Sequence, residues 1–162
     1  MAQTLTVPEM LPAKFTPIFK RHFVFAIEGI DAFLIKTAAT PEMKTEEQVI
    51  SWINATRYVA GKTTFEPITV TLYNPIAPSG AQQVMEWVRL HYESVSGRAG
   101  YPDFYKRDIQ LKQLDGPGTV IQLWDIKGAF LTSAKFGELA YDGSDMVELS
   151  ISIRFDNAVL QY

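Results

Sequence analysis

The chain has 162 residues, 47% of them hydrophobic, with no cysteine and a formal net charge of −3. That length supports one domain with a substantial core, and the lack of cysteine excludes disulfides, thiolate catalysis and Cys-based zinc sites. The mildly acidic balance argues against a protein whose main work is gripping nucleic acid, because phosphate binding needs concentrated Lys and Arg.

At the N-terminus, Pro8, Pro12 and Pro17 remove backbone donors and fix φ, so residues 1–17 are expected to form an extended arm of the kind that lies on a neighbour. No basic segment followed by an apolar stretch opens the chain, and no run approaches the roughly 20 apolar residues of a membrane helix. The expectation is synthesis in the cytoplasm without membrane insertion.

From His22 to Glu28, the residues Phe23, Phe25 and Ile27 share one face. Gly29-Ile30-Asp31 then reads as a turn, and residues 32–39 continue with Phe33, Ile35 and Thr37 aligned. This spacing predicts a β-hairpin. Residues 40–67 form a long excursion with two short strands, Val49–Ile53 and Arg57–Gly61, and an excursion of that length in a compact chain implies a contact of its own. Ile68, Val70 and Leu72 alternate with Thr69, Thr71 and Tyr73, which predicts a strand with Pro67 tolerated at its entry.

Ser79 with Gln82 forms a capping-box pattern, and Ala81, Val84, Met85, Val88, Tyr92 and Val95 make a helical stripe that Gly97 is expected to stop. Such a stripe belongs on a sheet face. Arg107–Leu114 pairs naturally with Thr119–Lys127 across Asp115-Gly116-Pro117-Gly118, giving a second hairpin. Residues 128–137 read as turn-rich, and Asp142-Gly143-Ser144-Asp145 as a further turn.

The final strand is the clearest element. Val147, Leu149, Ile151, Ile153 and Phe155 alternate strictly with Glu148, Ser150, Ser152 and Arg154, so one face enters a core while the other meets water, a partner or a lumen. The whole pattern predicts a mainly β (α+β) chain, an antiparallel β-sandwich or barrel with one packed α-helix, as a single domain over 1–162.

Site chemistry is sparse. His22 and His91 have no metal-ligand spacing, and Ser94 and Ser96 lack a nucleophile elbow. The glycines at 97, 100, 116 and 118 match no phosphate-cradling loop, the Glu46-Glu47 pair fits a solvated face, and Lys106-Arg107 among aromatics is too small for a nucleic-acid groove. No catalytic, cofactor or metal site is expected. The residues alone leave open a monomeric β-sandwich binding module or an enzyme.

Two stretches carry a family resemblance. Residues 59–74, Val59-Ala60-Gly61-Lys62-Thr63-Thr64-Phe65-Glu66-Pro67-Ile68-Thr69-Val70-Thr71-Leu72-Tyr73-Asn74, are followed by the helix with Trp87. Nearer the end come Ile126-Lys127-Gly128-Ala129-Phe130-Leu131-Thr132-Ser133, Gly137-Glu138-Leu139, Tyr141-Asp142 and the alternating strand to Phe155-Asp156. In this order they resemble the tail tube proteins of contractile-tailed (myovirus, T4-like) bacteriophages.

The resemblance implies a structural virion protein, not an enzyme, that closes into homohexameric rings and stacks them into the inner tail tube. Its implied partners are copies of itself, the tail sheath protein, and baseplate and tail terminator proteins, with DNA passing through without specific binding. Residues 40–67 would serve inter-subunit contacts. Candidate lumen or wall residues are Glu148, Ser150, Ser152 and Arg154, with Thr69, Thr71 and Tyr73 as rivals. The same architecture also fits the tube of a phage-derived contractile injection or type VI secretion system, or a tube initiator or terminator ring.

Overall fold

The computed structural model describes residues 15–162. The expected N-terminal arm lies outside the described residues except for 15–17, which form no helix or strand.

The described residues form nine strands, a principal helix and a short one: β1 (Phe23–Ile27), β2 (Ile35–Ala38), β3 (Met43–Trp52), β4 (Ala55–Phe65), β5 (Ile68–Tyr73), α1 (Gly80–His91), the short α2 (Pro102–Tyr105), β6 (Arg107–Leu114), β7 (Val120–Lys135), β8 (Glu148–Arg154) and β9 (Asn157–Leu160). The main sheet runs β1-β6-β7-β8-β5-β2, with β9 also on β7, and every pairing in it is antiparallel. The mainly β architecture with one packed helix is as the alternation predicts.

The alternation of the last strand translates directly into burial. Leu149, Ile151, Ile153 and Phe155 are buried, while Glu148, Ser150, Ser152 and Arg154 are half-buried on the opposite face. β5 repeats the pattern with Ile68, Val70 and Leu72 inside. These residues meet Phe25, Ile27, Ile109, Leu111 and Ile126 from β1, β6 and β7, and Val84 and Trp87 from α1, in one core cluster. Burying each such aliphatic side chain contributes about 1.5–3 kcal/mol, which makes this two-layer interior the main source of stability.

Long-range pairing departs from expectation at five places. β1 and β2 are not a hairpin: β1 pairs with β6, and β2 with β5. Ile30 bridges back to Ile27, and the 3-10 turn Ala32–Leu34 carries the chain away from β1 with Leu34 buried. Alternation fixes which face is wet but not which strand is the neighbour. α1 ends at His91, well before Gly97, because Tyr92 leaves in extended conformation and bridges Ala99, while Glu93 N–H donates to the Arg98 carbonyl at 3.0 Å. Those backbone groups are satisfied outside a helix, and Tyr92 and Val95 are exposed.

The segment read as turn-rich from Gly128 is instead the second half of β7. Gly128 (φ 66°) bends the strand, and a Cβ there would run into the Asp156 carboxylate. Before the bend β7 pairs with β6 and β9; after it, Phe130–Lys135 pairs with β8. β9 itself was not foreseen. The two short strands of the excursion are a single long hairpin, β3 with β4, joined by Ile53 and Asn54 with Ile53 at φ 45°. Apart from Phe65 at the end of β4, which packs against the core, neither face of this hairpin is buried, so no alternation advertises its length.

Replacing Ile151 with Asp is expected to abolish the folded state, since it places an unpaired carboxylate in the core. Ser152→Asp, on the opposite face, should cost no more than about 1 kcal/mol. Circular dichroism melts check both; equal behaviour of the pair would overturn the assignment of faces.

Candidate functional site

The notable surface is the outer face of β5 and β8, where the register places the expected residues in facing pairs. Thr69 lies opposite Ser152, Thr71 opposite Ser150, and Tyr73 opposite Glu148. β2 and the second half of β7 extend the face. Lys135, Ser150, Thr71 and Thr37 form one row across four strands, and Ser133 stands beside Ser152. Arg154 lies at the far end, opposite Phe130. Ser133 and Lys135 escaped the sequence reading because their segment read as a turn.

One ion pair lies on this face. Lys36 Nζ pairs with Glu148 Oε1 and lies 5.7 Å from the centroid of the Tyr73 ring. The hydrogen bond to Glu148 raises the Lys36 pKa, and burial opposes the shift. Lys135 and Arg154 have no ion pair among the described residues. Elsewhere, Lys127 holds the Asp108 carboxylate below its ordinary pKa, aided by the Gly128 amide. The Trp87 indole donates to the Tyr105 carbonyl at 2.8 Å, and the Arg107 guanidinium stacks 5.1 Å from the Trp87 ring centroid, where burial lowers its pKa.

The sheet has open margins. β6 accompanies β7 only as far as Ala129, so among the described residues the second half of β7 has β8 on one side and no strand on the other. Among the described residues β2 has β5 on one side only. Between β7 and β2 lie three antiparallel junctions, so these two free edges point in opposite directions. β1 and β2, the ends of the strand order, face each other across an open cleft of about 490 Å³ lined by Phe23, Phe25, Phe33, Ile35 and Lys36. The β3–β4 hairpin exposes Val49, Ile50, Trp52, Ile53 and Tyr58, each more than half accessible.

Conventional site chemistry is not gathered anywhere among the described residues: no three His, Asp or Glu cluster as metal ligands. His22 accepts from Arg21 Nε at 3.2 Å and meets Phe19 edge-on; His91 meets Tyr105 edge-on. No described helix is long and apolar enough to cross a membrane.

No protein-family model matches the chain. A tail tube protein of Serratia phage KSP90 is 30% identical over 131 residues, covering 78% of this chain and 72% of its own length. The chain belongs to the phage tail tube protein family.

Two solved structures share the tail tube fold at low identity. The tube-terminating cap of the anti-feeding prophage superposes with a TM-score of 0.74 at 16% identity, over 97% of this chain and 99% of that one. A chain of the sheath-tube complex of the PVC extracellular contractile injection system gives a TM-score of 0.67 at 15% identity, over 98% and 99%. Both matches span the β-sheet, the hairpin and the helix together. The relatives are named for tubes: a tail tube protein, a tube-terminating cap and a sheath-tube complex.

The Lys36–Glu148 pair makes a pH prediction. A lysine whose folded pKa is raised contributes stability that is full below its unfolded value and is lost as pH rises through the folded one. Thermal melts taken upward from pH 10.5 should show this loss in the wild-type chain, and Glu148→Gln should remove that component of the slope.

Proposed function

We propose that this tail tube protein is the wall unit of the inner tube of a contractile phage tail, closing as a sixfold ring of identical copies and stacking into the conduit for DNA ejection. The observation that carries the reading is the pair of free edges with opposite sense on a sheet that is apolar inside and polar outside. When β7 of one copy is laid beside β2 of the next, the junction is antiparallel, and the same operation repeated in one direction closes a ring. Closure removes both exposed edges, which in a monomer would invite non-specific pairing.

On this reading the row Lys135, Ser150, Thr71, Thr37, with Glu148, Ser152, Arg154 and Thr69 around it, faces the lumen. Hydroxyls dominate this wall, with Lys135 and Arg154 as the two unpaired cations in each copy, and cations so widely spaced hold a polyanion less firmly than a basic lining would, because binding strength scales with the number of phosphates neutralised. The 40–67 segment is the arm that reaches a neighbouring subunit, and 1–162 acts as one tube unit. Sheath, baseplate and terminator proteins are its partners outside the tube and at its ends. The protein is made in the host cytoplasm, resides in the virion tail and performs no catalysis.

A terminating ring at the end of a tube, or the tube of an injection machine, is the second reading, favoured by the superposition on the anti-feeding prophage cap. Labelling of whole particles separates the two: a wall unit marks the length of the shaft, whereas a terminator marks one end.

Electron microscopy of concentrated protein should show hollow rings or tubes; a monomer at every concentration would sink the proposal. Trp52→Asp, at the far end of the hairpin, should leave the melting temperature unchanged and prevent assembly. Ser150→Lys should still assemble but retain DNA at low salt, with release on raising the salt concentration.

A further inference from the structure

The segment after β7, residues 136–147, carries Phe136, Leu139, Tyr141 and Met146 on the surface, with Leu139 87% and Met146 74% accessible. It also holds Glu138, Asp142 and Asp145 and no basic residue. Apolar side chains set among acids on an irregular segment describe a contact surface, not a solvated loop.

We infer that this segment of one copy seats in the cleft between β1, the 3-10 turn and β2 of the next copy, so that each ring junction is clamped as well as strand-paired. The inference rests on the edge pairing proposed above and deepens it. Two observations bring the surfaces together. First, laying β7 beside the next copy's β2 in the register that continues the row Lys135, Ser150, Thr71, Thr37 puts the neighbour's Phe136 beside Lys36 and Ile35, with the rest of its loop directed toward Phe33. These are lining residues of the cleft, together with Phe23 and Arg21.

Second, the charges are complementary. Arg21 lines the cleft, and Lys20 and Arg21 line its continuation along β2, where Glu42 is the one acid; neither Lys20 nor Arg21 has an ion pair among the described residues. The incoming segment brings three carboxylates. Its apolar side chains would cover Phe33 and Phe23, where the interior of the sheet is otherwise open to water between the edges of β1 and β2. Steering by opposite charge and burial of aromatics act at the same place.

The test exploits a chain with no native cysteine. Two double variants of the full chain, Phe33→Cys with Leu139→Cys, and Thr37→Cys with Lys135→Cys, are assembled and treated with a short bis-maleimide, then run on a denaturing gel. All four positions are exposed, so folding should survive. The expected result is a ladder from both pairs that ends at the same ring size. If rings form and the 37/135 pair ladders while the 33/139 pair does not, the clamp is wrong and the edge pairing stands. A 33/139 ladder that climbs past the size reached by the 37/135 pair would place the segment on another ring and overturn the inference. If no rings form and neither pair ladders, the ring reading falls and the clamp with it. As a second measurement, reversing Glu138, Asp142 and Asp145 to Lys should raise the concentration needed for ring assembly by about tenfold at low salt with the melting temperature unchanged; unchanged assembly would also overturn the clamp.

Discussion

Strand β7 belongs to both halves of the sheet, and the bend at Gly128 is what allows it. Without that bend a 16-residue strand would project beyond its partners. With it, the first half can stand beside β6 and β9 and the second beside β8, so that the apolar faces of the two halves meet. The bend is held chemically. Asp156 N–H donates to the Lys127 carbonyl at 3.0 Å, the Asp156 carboxylate takes Lys106 at 2.7 Å, and Asp108 accepts from the Gly128 amide at 3.3 Å. β8 and β9 follow the same corner on either side of Asp156, so one turn organises four strands. A glycine is needed because φ is positive and the carboxylate occupies the space of a side chain.

What the chain reveals of itself before folding follows from where information is local. Leu149, Ile151 and Ile153 announce their face because burial repeats every second residue, and Ser79 announces the start of α1 because its hydroxyl accepts from the Gln82 amide at 3.4 Å. The β6–β7 hairpin was equally legible from Asp115-Gly116-Pro117-Gly118, whose Gly118 N–H donates back to Asp115 at 2.9 Å. Partners distant in sequence were not legible. Phe25 and Ile27 look the same whether their strand lies beside β2 or β6, and only the buried 3-10 turn with Leu34 decides between them. Trp87 completes the buried side of α1, but its value depends on the Tyr105 carbonyl and Arg107, which no helical periodicity displays.

The polar face was legible by residue and illegible by orientation. Glu148, Ser150, Ser152 and Arg154 are read correctly as the wet side of β8, and Thr69 and Thr71 join them because β5 and β8 are in register. Ser133 and Lys135 were missed because a glycine inside a long strand looks like a break. The hairpin arm was missed in length for a different reason: a strand wet on both faces has no hydrophobic period, and its order comes from the ladder between β3 and β4 alone.

The tip of that hairpin holds a small thermodynamic debt. Ile53 adopts a left-handed conformation at φ 45° although its side chain is branched at Cβ, and 89% of its surface is accessible. Left-handed backbone costs an ordinary residue about 1–2 kcal/mol, and glycine would carry far less of it. Nothing among the described residues returns that energy, because the isoleucine touches almost none of them. The tip of the hairpin is therefore locally frustrated, with a branched side chain held in a backbone conformation that suits glycine better.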